Sequence, residues 1–194
     1  MLPKLIILDI NGLLCHKERL PQSEIDAMPD SDEYLKRRIY IVRKHTDVDK
    51  FLEWCFDNYH VAFWSSTTSY NAKPIIDQLL NTSDIPKRAK FIWYRDRTRL
   101  DPDYGVNNDI KEHDTVKTLS DVWSHPYVNQ YRLYSNTNTL LVDDSARKTR
   151  FNHPDNVVNF DIPFDYDLLK ANIVSKFLKL SEYEEIRQDL SKLS

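Results

Sequence analysis

The sequence predicts an α/β fold of the Rossmann-like kind, a central and mainly parallel sheet flanked by helices. Three observations carry that prediction. Short apolar runs recur at residues 4–8, 60–64 and 138–142, and the first is apolar on both faces, as a parallel strand covered on both sides must be. Stretches with helical periodicity separate these runs. Each run stops abruptly at polar residues: Asp9-Ile10-Asn11-Gly12, Ser65-Ser66-Thr67-Thr68 and Asp143-Asp144-Ser145. The carboxyl ends of the strands are where open α/β sheets bind ligands.

The 194 residues suffice for one domain with a substantial core, and a second independent domain is not expected. Hydrophobic content of 41% and charged content of 29% describe an ordinary soluble globule. A net charge of −3 and a pI of about 6.1 give no general pull toward nucleic acid or an anionic membrane. No apolar run approaches the roughly 20 residues that span a bilayer. The short N-terminal apolar stretch behind Pro3-Lys4 reads as a strand and not as a secretion signal. Cys15 and Cys55 lack metal-type spacing and are expected as reduced, buried thiols, which fits a cytoplasmic or nuclear protein. There are only two glycines, and Asn can take some left-handed turns, so Gly12 is expected where Asn would not fit.

In chain order, residues 4–14 give the first strand and its turn. A carboxylate at a strand tip is costly unless water, a metal or a partner satisfies it. An Asx turn accounts for the same residues without any ligand. Residues 15–32 are polar, with Pro21 and Pro29, and read as a loop or flap over the crevice. Residues 37–44 have basic ends around a β-branched centre and predict a strand. Thr46 then caps a helix, with Val48, Phe51, Leu52, Cys55 and Tyr59 at helical spacing and facing the core. Residues 60–64 form the second parallel strand. The hydroxyl cluster after it suits an oxyanion, since hydroxyls donate and the next helix offers free N–H groups; a plain helix cap is the competing reading.

Residues 70–80 predict a helix, with Pro74 in its first turn or kinking it. Residues 89–94 predict a third strand, running into Arg95-Asp96-Arg97-Thr98-Arg99. Aromatics beside arginines could stack on and pair with nucleic acid, or form a solvated strand end. Residues 101–114 read as a loop and 115–123 as a helix carrying Lys117 near its start, a position where lysines usually face solvent. Residues 138–142 predict the fourth strand. Its adjacent acids Asp143 and Asp144 repeat the layout of Asp9, and hard oxygen ligands that keep water suit magnesium. Residues 167–180 and 181–193 carry helical periodicity and are expected to close the sheet edge. A Gly-x-Ser-x-Gly elbow, a glycine-rich phosphate loop and a His-Glu-x-x-His site are all lacking from the sequence, and its six histidines are scattered.

Four of these segments resemble, in order, the motifs of the haloacid dehalogenase superfamily. Residues 5–14 are similar to its Asp-x-Asp motif after a strand, Phe63-Trp64-Ser65-Ser66 to the Ser/Thr motif, Lys117-Thr118-Leu119 to the lysine motif, and Asp143-Asp144 to the acidic motif. The likeness is nearest to the branch of RNA polymerase II C-terminal-domain phosphatases, the NLI-interacting-factor or FCP-type homology domain. It is strongest with plant and fungal members that read Asp-x-Asn-Gly-Leu-Leu, and it runs over residues 5–164. Residues 151–156 also resemble a segment of that branch, read here as structural.

The resemblance implies a single domain over residues 1–194 without a large cap. Residues 13–42 would be a flap, 95–114 an insert loop lining the substrate cleft, and 165–194 C-terminal helices. It also implies a magnesium-dependent phosphatase with a covalent aspartyl phosphate. Asp9 would be the nucleophile, with magnesium on Asp9, Asp143 and the backbone carbonyl of Asn11. Lys117 would offset the charge. Ser65, or Ser66 if the register slips by one, would hold a phosphoryl oxygen, and Arg95 would contact phosphate. Asp144 would orient Lys117 or the metal's waters. The implied partner is a phosphorylated protein or peptide, with a nucleic-acid end as a weaker alternative and no membrane. Asn11 departs from the pattern, because active relatives have an acid there that protonates the leaving oxygen and then activates water. An amide does neither, so weak turnover is one expectation and a retired domain that binds phosphopeptides or proteins, a path the mitochondrial translocase relatives in this branch suggest, is the second.

Overall fold

The computed structural model describes residues 2–19, 21, 23, 40–80, 85–112, 114–160 and 165–192. Its strands are β1 (Leu5–Leu8), β2 (Cys15–Arg19), β3 (Tyr40–Lys44), β4 (His60–Trp64), β5 (Ile92–Trp93), β6 (Arg99–Leu100), β7 (Thr115–Val116), β8 (Thr139–Asp143) and β9 (Val157–Asn159). The helices are α1 (Val48–Asn58), α2 (Ser69–Leu80), α3 (Ile85–Arg88), α4 (Leu119–Trp123), α5 (Ala146–Thr149) and α6 (Tyr166–Lys192). Five strands make one sheet in the order β5-β4-β1-β8-β9, every neighbouring pair parallel.

Both faces of this sheet are covered, which is why its central strands are apolar throughout. Alternate residues point to opposite sides. Ile6, Leu8, Val61, Phe63, Leu140 and Val142 pack with Phe51 and Leu52 of α1, Ile75 of α2, and Leu169, Ile173 and Phe177 of α6. Leu5, Ile7, Ala62, Trp64 and Leu141 pack on the other side with Leu119 and Val122 of α4. Tyr166 links helix to motif: its ring stacks on Phe51 with centroids 4.7 Å apart, and its hydroxyl donates to the Leu13 carbonyl at 2.8 Å.

Several elements differ from expectation. Residues 15–19 are not loop: β2 pairs antiparallel with β3, Cys15 opposite Lys44. Positions 20, 22 and 24–39 of the expected flap, including part of the expected strand at 37–44, lie outside the described residues. Helix α1 is capped by Asp47 and not by Thr46. Asp47 is left-handed, with φ 62°, a conformation a short polar side chain tolerates; its carboxylate accepts from Lys50 at 2.7 Å. Helix α2 starts at Ser69, so Pro74 falls in its second turn, which leaves the kink as the expectation for it. The expected helix at 115–123 is split. Thr115 and Val116, both β-branched, pair with Leu100 and Arg99, and α4 begins only at Leu119. The two C-terminal helical stretches are one helix, α6, in which Ser181 donates to the Phe177 carbonyl at 2.8 Å and so joins the turns.

Two ionic anchors hold the periphery. Asp155, ahead of β9, accepts from Lys179 at 2.7 Å and from the Tyr183 hydroxyl at 3.0 Å, docking α6. Asp101, 1% exposed, ties the segment after β6 to α5. Arg150 grips it in bidentate fashion at 2.6 and 3.0 Å, and Arg147 adds a contact at 2.7 Å. The Arg150 guanidinium, opposed by burial and helped by the Asp103 N–H and Arg147, holds the Asp101 carboxyl down at about 2, against 3.8 ordinarily.

Because its folded-state pKa is depressed, Asp101 stabilises the fold fully above pH 3.8, and that contribution is lost as pH falls from there toward 2. Asp101→Asn is therefore expected to lower unfolding stability at pH 7 by about 2 kcal/mol. Urea denaturation would read this as a lower midpoint with unchanged slope, and the variant's stability should fall less steeply than the wild type's below pH 4.

Candidate active site

Parallel register brings three strand tips to one end of the sheet. Leu8 lies opposite both Phe63 of β4 and Val142 of β8, so Asp9, the residues after Trp64, and Asp143 leave the sheet side by side. Asp9 is 2% exposed and Asp143 fully buried. Two such carboxylates repel unless a cation separates them. Lys117, also fully buried, does so: its ammonium donates to Asp9 Oδ1 at 2.7 Å and to Asp143 Oδ2 at 2.6 Å.

The split between β7 and α4 explains how a helix-flanking lysine reaches the sheet. The Lys117 N–H donates to the Lys148 carbonyl at 2.8 Å, and its own carbonyl accepts from Asn152 Nδ2 at 2.7 Å. Asn152 Oδ1 accepts the Leu119 N–H at 2.7 Å, so this one side chain clamps the residues on both sides of Thr118. The 151–156 segment thus does structural work at the site as well as at the sheet edge, where Asn156 donates to the Thr139 carbonyl at 2.8 Å.

Asp144 stands next to Asp143 and leans on the loop after Asp9. Gly12 has φ +96°, and a Cβ there would meet Asp144 Oδ2 at 2.0 Å, so glycine is required for two reasons. Burial pushes the Asp144 carboxyl up to about 6; Lys148 opposes this, and Asp9 and Asp143 add to it. At Asp143, burial raises the carboxyl, but Lys117, Lys148 and the Ser145 N–H outweigh it and hold it below the ordinary value.

Lys148 is the charged residue at this site that sequence reasoning missed. Its ammonium is 3.4 Å from Asp144 and 3.6 Å from both Asp9 and Asp143. The signal was present: it lies four residues after Asp144, at helical spacing, on the turn that follows the acidic strand.

The other expected residues are placed as follows. Ser65 is buried at the tip of β4; its N–H donates to the Trp93 carbonyl at 2.9 Å and its hydroxyl oxygen accepts the Thr67 N–H at 3.1 Å, leaving the hydroxyl proton to donate. Ser66 presents its carbonyl to Arg95 Nε at 2.9 Å, and the Arg95 N–H donates to the Thr67 carbonyl at 3.0 Å. Arg95 thus braces the serine loop. Arg99 is paired with Asp121, its Nε–Oδ2 distance being 2.9 Å, and Arg97 lies 3.6 Å from Asp96. Asn11 bridges to Cys15 through its backbone, and its Oδ1 is buried.

A hard divalent cation fits these donors. Asp9, Asp143 and Asp144 bring carboxylate oxygens within 4.8 Å of one another. Asp9 Oδ2 and Asn11 Oδ1 are buried without a hydrogen-bond partner among the described residues. All the donors are oxygen, as magnesium prefers. Two surface clefts, of about 490 and 530 Å³, lie at the opposite end of the strands beside Thr137 and α6, away from this chemistry. Among the described residues no helix is long and apolar enough to cross a membrane.

The fold resembles that of the fission yeast RNA polymerase II CTD phosphatase Fcp1 in a complex with beryllium fluoride, with a TM-score of 0.51 and 13% identity over 98% of this chain and 55% of that one. A second structure of Fcp1, an essential RNA polymerase II CTD phosphatase, gives 0.53 and 14% identity over 99% of this chain and 54% of that one. In sequence the chain is 28% identical over 148 residues to an uncharacterized FCP1 homology domain-containing protein of Schizosaccharomyces pombe, covering 75% of this chain and 55% of the relative. The chain thus spans about half the length of the relatives it matches. The family description for NLI interacting factor-like phosphatase matches residues 4–188, nearly the whole sequence, and the chain belongs to that family.

Proposed function

We propose that the chain is a phosphoric monoester hydrolase that carries the phosphoryl group on Asp9, uses magnesium and acts on phosphorylated protein. The observation that carries this reading is the asymmetry of Asp9. One oxygen is fixed by Lys117 at 2.7 Å, while Oδ2 is buried without a hydrogen-bond partner among the described residues. An oriented carboxylate with one oxygen left over is suited to attack phosphorus. Magnesium would be held by Asp9, Asp143, Asp144 and the Asn11 carbonyl, and would supply positive charge beside the phosphoryl oxygens.

In the first step Asp9 Oδ2 bonds to phosphorus as the bond from phosphorus to the substrate oxygen breaks. That oxygen leaves with the electron pair and takes a proton from solvent. In the second step a water oxygen bonds to phosphorus, the Asp9–phosphorus bond breaks, inorganic phosphate departs and the water's proton passes to solvent. Lys117 orients Asp9 and offsets the repulsion between its carboxylate and the phosphate. The Ser65 hydroxyl holds a phosphoryl oxygen, with Ser66 as the alternative donor.

A phosphoprotein substrate is supported by the likeness to Fcp1, an RNA polymerase II CTD phosphatase. A nucleic-acid end is the weaker alternative, since Arg95 and Arg99 of that segment already bond the Ser66 carbonyl and Asp121. Asn11 favours one second reading, a module that binds phosphoprotein without turning it over. Its amide holds the place of the leaving-group acid and has no proton to give at neutral pH.

Three results would test this. With magnesium, Asp9→Asn should abolish hydrolysis of p-nitrophenyl phosphate; activity that survives it would refute the mechanism. Asn11→Asp should raise kcat on a phosphoserine peptide by about 10² or more, because general acid–base help is worth about 10² to 10⁴. The gain on p-nitrophenyl phosphate should be smaller, its leaving group needing little protonation. Wild-type inactivity on both substrates, with phosphopeptide binding intact, would establish the binding module instead. Lys117→Met should remove activity and also lower stability by about 3 kcal/mol, since it leaves two buried carboxylates face to face; thermal melting would reveal a smaller loss at pH 4 than at pH 7.

A further inference from the structure

Lys148 stands where no role in the proposed reaction requires it. Its ammonium faces one oxygen from each of Asp9, Asp143 and Asp144, at 3.6, 3.6 and 3.4 Å. These are the same three acids whose oxygens lie within 4.8 Å of one another. The oxygen it faces on Asp9 is Oδ2, the one without a hydrogen-bond partner among the described residues. Lys117 is held more closely, with hydrogen bonds at 2.7 and 2.6 Å to Asp9 Oδ1 and Asp143 Oδ2, where Lys148 makes one long hydrogen bond, to Asp144 Oδ1 at 3.4 Å. One lysine is therefore bonded closely to two of the acids, and the other faces all three acids that would hold a divalent ion.

We propose that Lys148 is a tethered counter-cation that competes with the divalent metal for Asp9, Asp143 and Asp144, so that metal binding requires its side chain to swing aside. This rests on the magnesium-site reading given above. Three carboxylates face two ammonium groups, leaving one net negative charge. A divalent ion added with Lys148 in place would make the cluster net positive and set two cations on the same oxygens. Displacement is the cheaper arrangement, because the ammonium makes only long contacts and its side chain is 18% exposed, so water is within reach.

The backbone beneath it is fixed. Arg147 and Arg150 flank Lys148 in sequence and both grip Asp101, at 2.7 and 2.6 Å. The Lys148 carbonyl accepts the Lys117 N–H at 2.8 Å. Movement is therefore confined to the four-carbon stem, and the rest of the site keeps its shape whether the ammonium is in or out. The consequences are a carboxylate cluster that stays balanced without metal and a divalent affinity lower than the same acids would otherwise give.

The test is calorimetric titration of magnesium, and separately manganese, into wild type and Lys148→Met, which keeps the stem and removes the charge. The variant is expected to bind tenfold more tightly or better, while its metal-free form melts below the wild type and recovers more on adding metal. Equal or weaker binding by the variant overturns the proposal and leaves the metal site standing. Binding by neither protein overturns both. If Lys148→Met does not fold, the wild type answers alone: acetylation of Lys148, followed by mass spectrometry, should be several-fold faster with saturating magnesium, and Lys117 should stay protected in both states. An unchanged or slower rate at Lys148 refutes the displacement.

Discussion

The Lys117 ammonium between Asp9 and Asp143 is the constraint on which the site depends. The two carboxylates come from neighbouring strands of a parallel sheet, and the register that aligns Leu8 with Val142 also sets their acids side by side. Neither acid is exposed enough for water to screen the repulsion. A cation is needed, and it must come from outside the two strands. The chain supplies it by ending β7 at Val116, extending through Lys117 and starting α4 only after Thr118. The broken helix is thus a condition for buried charge at the strand tips.

Holding that segment requires anchors on its far side. Its polar backbone is satisfied by Lys148 and Asn152, both placed by the turn that follows β8. That turn is in turn fixed to the segment after β6 by Asp101. A loop of dependence results: β8 delivers Asp143, the residues after it hold Lys117, and Lys117 makes Asp143 tolerable beside Asp9. Such closed networks are worth more intact than their separate bonds, and a break at one point is felt at the others.

Much of this was legible in the sequence because strand tips announce themselves. An apolar run that stops at Asp or Ser gives both the strand and the direction of its polar end, and β1, β4 and β8 followed that rule. Gly12 was also readable, since a glycine in a chain with two of them must serve a backbone that other residues cannot adopt. The limits of 115–123 were not readable. Val116, Leu119 and Val122 fit a helical period, and only the tertiary demand on Lys117 breaks it. The β2–β3 pairing was hidden for a related reason: residues 15–19 are mostly charged, and pairing with a distant strand leaves no local apolar alternation. Lys148 was overlooked because a single lysine on a short helix looks like a solvated residue until the sheet places three acids around it.

The character of the cluster bears on what the fold is for. Buried ion pairs seldom raise stability above what well-packed apolar residues of the same size would give. A sheet end needed only for folding would be better closed by Leu or Ile, the residues that make up β1. Instead Asp9, Asp143 and Asp144 meet Lys117 and Lys148 in a space where each group is tolerable only because of the others. That arrangement is poor architecture and good preorganisation, since fixed charges around a leftover carboxylate oxygen suit a bound anion or cation. Asn11 sharpens the point. Its amide carries no charge, so the charges of the frame are those of the three acids and the two lysines alone.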